Sequence, residues 1–127
     1  MFHAKNHRKL WGLLENSWEI VRHCGFMETK IFLRRIFLKD EADIPNSCYA
    51  CLYATETRAG RLTPKCSFCP LEVIPCGEAN SIHRQLQRAI EHKDKPAYQK
   101  FCRLFKNAKI KEGVETDGTE TNNPAAV

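Results

Sequence analysis

Two cysteine hooks constrain this chain more than any other feature of its sequence. The first hook is Cys48-Tyr-Ala-Cys51, the second is Cys66-Ser-Phe-Cys69, and fourteen residues separate them. A Cys-x-x-Cys segment bends the backbone so that two sulfur atoms can meet one ion, and four thiolates at this spacing are typical of a tetrahedral zinc site. We therefore predict one structural Zn²⁺ per chain, bound by Cys48, Cys51, Cys66 and Cys69.

Three other interpretations of these hooks remain open, and the sequence weighs against each. A disulfide scaffold needs secretion, but the cysteines number seven and the N-terminus has no apolar signal segment. A thioredoxin-like redox pair needs a hook between a strand and a helix, and no such alternation is visible. An iron–sulfur cluster also takes four thiolates and is the remote alternative.

The other cysteines have different expected roles. Cys76 follows the second hook by seven positions, so it can replace Cys66 or Cys69 at the metal or remain nearby as a thiol. Cys24 and Cys102 lie in apolar helical patterns. We expect both to be buried as small hydrophobic residues, which is the commoner fate of a cysteine without a ligand role.

Length and composition predict one domain in a reducing compartment. With 127 residues, the chain is long enough for a modest core. No apolar run reaches the roughly 18 residues that span a bilayer, so no membrane partner is expected. Reduced cysteines and the lack of a signal segment predict the cytosol, that of a bacterial host if the protein is phage-derived.

The distribution of charge favours an acidic partner. Residues 1–111 contain all 20 Lys and Arg and 11 of the 15 Asp and Glu, so this part of the chain carries +9. A zinc ion with four thiolates removes two of these units. A basic body of this kind favours nucleic acid first and an acidic face of a host protein second.

Hydrophobic periodicity predicts helices in the first third of the chain. Apolar residues at steps of three and four predict a helix over 7–23, capped by Asn6 and ended by Gly25. Residues 30–39 predict a second helix, capped by Thr29 and apolar on nearly all sides, with two short strands around Arg34-Arg35 as the alternative. Such a helix is either central to the core or partly covered by a partner.

The segment between the hooks predicts a hairpin. Thr and Tyr residues precede a turn at Gly60, a pattern typical of two short strands. With the hooks, this hairpin would form a ribbon-like or knuckle-like zinc clip. Its tip would present three cations to a partner: Arg58, Arg61 and Lys65.

Two amphipathic helices are predicted after the zinc site. Ser81 is placed to cap the first helix, and Pro96 is placed to begin the second. The second helix has an apolar side for the core and a basic side for solvent. We expect the basic side to extend the binding surface through Lys100, Arg103, Lys106 and Lys109.

Together these patterns predict a small α+β domain that is mostly helical. It comprises N-terminal helices, a central zinc clip and a C-terminal helical pair, followed by a Gly/Thr/Asn/Asp-rich tail that we expect to be disordered. The predicted boundaries are 1–112 for the domain, 7–39 and 81–110 for its helical parts, 48–76 for the zinc site and 113–127 for the tail.

The residues with catalytic potential do not form a known catalytic pattern. A closed site of four thiolates has no open coordination position for water, so it stabilises the fold and does not activate water for catalysis. The five histidines show no His-Glu-x-x-His or His-x-Glu arrangement, and there is no Gly-rich phosphate loop. A His-Asn-His-type nuclease, a class often braced by two hooks, remains a remote alternative that rests on His83 alone.

The order of these features resembles that of small, poorly characterised zinc-binding proteins of phages and Firmicutes genomes. The resemblance is carried by Arg8-Lys-Leu10-Trp11, by both hooks with the flanking Tyr53, Pro70 and Leu71, and by Cys76. It spans residues 7–105. It implies an accessory protein of a virus or mobile element, with a zinc site and no established enzymatic role.

Two functional hypotheses follow. In the first, the basic body binds nucleic acid through its phosphates. In the second, the protein occupies a host protein that handles nucleic acid or provides defence, as an anti-CRISPR inhibitor does; this hypothesis rests on analogy. An exposed apolar patch over residues 31–38 would favour the second hypothesis, and a contiguous basic face without that patch would favour the first.

Overall fold

The protein is mostly helical. A computed structural model describes residues 1–57 and 68–117. In this part of the chain there are six α-helices, one 3₁₀ turn (Pro45–Ser47) and two isolated β-bridges, and no strand. No helix here is long and apolar enough to cross a membrane. The helices are α1 (Ala4–Glu15), α2 (Trp18–Cys24), α3 (Phe26–Phe37), α4 (Tyr49–Thr57), α5 (Ile82–Glu91) and α6 (Lys95–Lys106).

The core forms where α6 packs against α1 and α5. Tyr98 is fully buried and its hydroxyl donates to the carbonyl of Leu14, which ties α6 to the end of α1. Trp11 stacks on Phe105 with ring centroids 4.5 Å apart. Cys102 is also fully buried, as the apolar pattern predicts. Long-range aromatic contacts therefore join the two ends of the chain into one core.

The first predicted helix is broken into two. A turn at Asn16 and Ser17 separates α1 from α2, and the Ser17 hydroxyl donates to the carbonyl of Leu13 over 2.7 Å. This bend brings Trp18 within 5.1 Å of the Tyr98 ring, so both tryptophans become buried. The helix also begins before the expected cap, at Ala4. Gly25 ends α2 as predicted, with φ +96 that few other residues adopt.

Cys24 is exposed, contrary to the expectation that it is buried. It is the last residue of α2, where the backbone turns at Gly25. The apolar pattern around it belongs to Val21, which is buried one turn earlier.

The third helix begins earlier than predicted and is buried in an unexpected way. Thr29 lies inside α3 rather than at its cap, and its hydroxyl donates to the carbonyl of Gly25 over 2.7 Å. The side chains that face the protein include Lys30 and Arg34, which are 4% and 3% exposed. Phe32, in contrast, is 46% exposed. The helix therefore buries cations and presents hydrophobic residues to solvent.

The residues expected to begin the hairpin form α4 instead. Tyr49–Thr57 is helical because Ala, Leu and Glu favour a helix and because Tyr49, Ala50 and Ala54 share one buried face. The rest of the predicted hairpin, including Arg58, Arg61 and Lys65, lies outside the described residues.

The C-terminal helical pair is confirmed. Ser81 caps α5, with its hydroxyl accepting from the N–H of Arg84. Asp94 caps α6 by accepting from the N–H of Ala97, and Pro96 occupies the first turn. Proline fits this turn because its missing N–H would have no partner there in any case.

Residues 113–117 differ from the expected disordered tail. Phe2 and Thr116 form a parallel bridge, and the N–H of Phe2 donates to the carbonyl of Glu115 over 2.7 Å. Phe2 is fully buried. A short stretch of backbone pairing therefore gives this polar segment an ordered position, although it has little to bury. Residues 118–127 lie outside the described part.

His7 gives the fold a dependence on pH. It is 2% exposed, its Nε2 hydrogen-bonds the carbonyl of Phe105 over 2.9 Å, and its Nδ1 has no partner among the described residues. Burial lowers the pKa of His7 to about 4, and the Phe105 carbonyl only partly opposes this. In the unfolded chain His7 therefore becomes protonated near pH 6.5, whereas in the folded chain it stays neutral until the pH falls to about 4.

We predict that His7→Gln flattens the acid limb of the stability curve. Glutamine can keep a donor to Phe105 but does not titrate. The contribution of neutral His7 to the free energy of unfolding is complete above pH 6.5 and is lost as the pH falls towards 4. Over this range the free energy of unfolding of the wild type should therefore fall by about 3 kcal/mol more than that of the variant. Urea unfolding at several pH values measures this difference, and any acid release of metal is common to both proteins. A parallel loss in the two proteins, with the exposed His92→Gln as control, would contradict the assignment.

Candidate metal centre

The first hook lies at the start of α4. Cys48 has extended backbone angles and directly precedes the helix. Its sulfur receives hydrogen bonds from the thiol of Cys51 and from the backbone N–H groups of Ala50 and Cys51. These donors lower the pKa of Cys48, the Cys51 thiol contributing most, while the pKa of Cys51 is raised because its proton is held between the two sulfurs. The two sulfurs of the hook therefore lie next to each other at the start of the helix.

Asn46 connects the hook to the rest of the protein. It has φ +55, a left-handed conformation that Asn tolerates better than most residues. In this conformation its side-chain amide lies 3.5 Å from the sulfur of Cys51, and its carbonyl accepts from Lys30 over 2.7 Å. One residue therefore contacts both a candidate ligand and a buried cation.

Lys30 is the most informative neighbour of the cysteines. Its ammonium is buried, lies 4.9 Å from the ring centroid of Phe26, and makes no ion pair with a carboxylate in residues 1–57 and 68–117. Burial lowers the pKa of Lys30, and the sulfurs of Cys48, Cys51 and Cys76 oppose this. A buried charge needs compensation, and these cysteines are the groups that can supply it.

Cys76 lies near the first hook, although its sulfur and the two sulfurs of the hook do not converge on one point. It lies within electrostatic reach of both Cys51 and Lys30. Ser81, fully buried at the start of α5, donates its hydroxyl to the carbonyl of Cys76 over 3.1 Å and fixes the backbone there. The fifth cysteine of the central region is therefore placed as a candidate ligand.

The second hook is described only in part. Cys69 is half-buried, and the chain after it is held by an antiparallel bridge between Leu71 and Ile110. Lys111 also donates its N–H to the carbonyl of Pro70 over 2.8 Å. Cys66 lies outside the described residues, and among those described no three His, Cys, Asp or Glu side chains converge on one point. The predicted set of Cys48, Cys51, Cys66 and Cys69 stays a prediction.

The donors that are described suit zinc. Two thiols of one hook sit at a helix start, where backbone N–H groups point at the sulfur, and a buried ammonium offsets negative charge. Four thiolates around Zn²⁺ carry a net charge of about −2, so a cation without a carboxylate partner fits beside them. Zinc bound here would hold the start of α4 to the segment after the second hook.

The predicted basic face of α6 is present but partly neutralised. Lys100 and Arg103 are exposed, and Arg103 forms an ion pair with Glu15 over 2.7 Å. Lys109 lies 3.7 Å from Glu72. The side chain of Lys106 runs across α1, 3.7 Å from where a side chain on Gly12 would begin. Exposed pairs of this kind contribute little free energy, so the cations remain able to exchange partners.

Two buried residues of importance were missed in the sequence. Lys30 belongs to an apolar stretch with two Lys and two Arg, and its burial is visible only when the buried face of α3 is aligned with Phe26 and Leu33. His7 occupies a core position of α1 in the same step of three as Leu10. That apolar spacing is the signal that could have indicated its burial.

Comparison with known proteins gives no relative from which a function can be transferred. No family model, no curated protein and no solved structure matches the chain. The resemblance to small zinc-binding proteins of phages and Firmicutes therefore stays a prediction. The function has to be inferred from the residues themselves.

We predict that the purified protein contains one zinc per chain and that Cys51→Ser loses it. Structural zinc supplies on the order of 10 kcal/mol of apparent binding free energy, so its loss should abolish cooperative unfolding. Elemental analysis and thermal melts measure the two effects. The variants Cys66→Ser, Cys69→Ser and Cys76→Ser then identify the remaining ligands. Cooperative folding of Cys51→Ser without metal would contradict a structural site.

We further predict that Lys30→Met weakens zinc binding. Removing a charged group next to metal ligands typically costs 10–100-fold in metal affinity. Chelator competition on the folded protein measures the affinity. Lys39→Met is the matched control, because it removes the same charge from an exposed lysine just beyond α3. Equal zinc affinity in wild type and Lys30→Met would show that the cysteines do not need this cation.

Proposed function

We propose that this chain is a non-enzymatic zinc-binding accessory protein, of the phage or mobile-element kind, that binds nucleic acid through the basic surface of its C-terminal helical pair. In this proposal Zn²⁺ is held by Cys48 and Cys51 together with two of Cys66, Cys69 and Cys76, and completes a zinc clip with residues 58–67. The protein then works in a reducing compartment such as the cytosol of a bacterial host.

The observation that supports nucleic-acid binding is the concentration of charge on α5 and α6. Residues 81–111 contain nine Lys and Arg and two Asp and Glu, a net charge of +7. Residues 1–57 contain eight Lys and Arg and seven Asp and Glu, a net charge of +1. Most of the excess of the whole body therefore lies on the helical pair and the five residues that follow it, as expected of a surface that contacts phosphates.

The basic side chains of this pair are accessible. Arg84, Arg88, Lys93 and Lys95 are exposed along α5 and its connection to α6, and Lys100 and Arg103 continue on α6. Their carboxylate neighbours, such as Glu15 beside Arg103, can be replaced by phosphate at little cost. Such contacts would give affinity without sequence specificity.

A second candidate function is supported by α3. Phe32, Ile36 and Phe37 are 46%, 50% and 50% exposed, so the helix presents an apolar surface within residues 31–38. Exposed apolar patches of this kind commonly mark protein interaction sites. This favours a protein partner for α3, either as the main function or beside nucleic-acid binding.

We predict that nucleic-acid binding falls steeply with salt and depends on α6. Each neutralised phosphate releases counterions, so the affinity should drop on the order of 10³-fold between low and moderate salt. The double variant Lys100→Ala/Arg103→Ala should bind more weakly and show a shallower salt slope. Gel-shift titrations with single- and double-stranded DNA and RNA measure both quantities.

The matched control removes the same two charges from the nearly neutral half. Arg22→Ala/Lys39→Ala changes two exposed cations there, so an equal effect of both double variants would show that only net charge matters. If no nucleic acid shifts the protein at low salt, the proposal fails. A pull-down from nuclease-treated host lysate would then test the protein partner.

A further inference from the structure

The outer face of α3 is a surface that needs a cover. Met27, Phe32 and Ile36 are 41%, 46% and 50% exposed, and Ile31 beside them is half-buried. Four large hydrophobic residues on one twelve-residue helix make an unusually apolar surface for a small protein.

This face cannot turn into the core. Lys30 donates to the carbonyl of Asn46, and Arg34 donates to the hydroxyl of Ser47 over 3.1 Å and lies 3.6 Å from a carboxylate oxygen of Asp40. Rolling α3 to bury Phe32 would break these contacts and take both cations away from the polar groups of residues 40–47 that bind them. The buried cations therefore fix the apolar face outward.

The exposed face of α3 carries one acidic and one basic side chain, so it is complementary in charge to an antiparallel copy of itself. Glu28 and Arg35 are exposed, lie on the same side of the helix as Ile31 and Phe32, and have no ion-pair partner among the described residues. Positions separated by three and four residues share a helix face. The exposed face of α3 is therefore acidic near its N-terminal end, apolar in the middle and basic near its C-terminal end.

We propose that a second copy of this chain covers the face, with the two α3 helices antiparallel and a two-fold axis passing between Ile31 and Phe32. In this register Glu28 of each copy lies opposite Arg35 of the other, and Ile31 lies opposite Phe32. Two equal ion pairs then flank an apolar centre. An isologous contact of this kind is the commonest way in which a chain forms a dimer.

The surroundings of α3 suit the same register. A groove of about 240 Å³ lies between α3 and residues 41–47, and Met27 and Ile31 form one of its walls. Ile36 follows Met27 by nine positions and lies on the other side of the helix, so the groove stays open beside the contact and does not obstruct it. The half of the chain that contains α3 has a net charge of only +1, so little repulsion opposes the contact.

The proposed dimer does not depend on nucleic-acid binding, because its contact is the apolar face of α3 and not the basic surface of α5 and α6. The zinc-loaded full chain should sediment as a dimer at tens of micromolar. Glu28→Arg and Arg35→Glu should each raise the dimer dissociation constant on the order of a hundredfold, because each places like charges opposite one another. The double variant Glu28→Arg/Arg35→Glu exchanges the charges and should restore the dimer.

A separate variant tests the apolar centre. Phe32→Asp should be monomeric with unchanged zinc content and circular dichroism, whereas Ile74→Asp, at a residue that is 45% exposed elsewhere, should remain dimeric. A monomeric wild type, or a double variant that stays monomeric, would overturn the proposal. If the wild type is monomeric and Phe32→Asp loses a lysate protein that the wild type retains, the cover of α3 is a different chain. Gel shifts with Phe32→Asp show whether nucleic-acid binding stands independently.

Discussion

The buried ammonium of Lys30 is the interaction on which the rest of the structure depends. Taking a lysine charge out of water costs several kcal/mol unless other groups compensate. Here a carbonyl, an aromatic ring and the sulfurs of Cys48, Cys51 and Cys76 share that role. Because these groups come from three separate segments, the position of one nitrogen atom determines how α3, the approach to α4 and the segment after the second hook fit together.

This compensation also explains why α3 buries two charged side chains and exposes apolar ones. A helix that buried Phe32 and Ile36 would be more stable by hydrophobic burial alone, by about 2 kcal/mol for each side chain. The chain instead orients its cations inward, towards the cysteines and the 40–47 segment. The approach of Lys30 to the cysteines and the exposure of an apolar surface are thus two results of one orientation, so conditions that disturb the cysteines should also loosen that surface.

Local chemistry made parts of this fold predictable. Ser81, Asp94 and Pro96 act through their immediate neighbours, and the C-terminal pair follows from them together with the apolar spacing of Tyr98, Cys102 and Phe105. The break at Asn16 and Ser17 could not be predicted, because it serves a contact between Trp18 and a ring eighty residues away. Helix α4 was missed because Tyr and Thr are common in strands, and the packing of Ala50 and Ala54 overrides that preference. The hooks identified the candidate ligands, but Lys30 and Asn46 become visible only in three dimensions.

The pairing of Phe2 with residues 115–117 has a consequence for synthesis of the chain. Phe2 is synthesised more than a hundred residues before its backbone partners Glu115 and Asp117. At 5–20 residues per second, residues 115–117 are synthesised roughly ten seconds after Phe2. The backbone pairing of Phe2 can therefore form only after residues 115–117 have been translated.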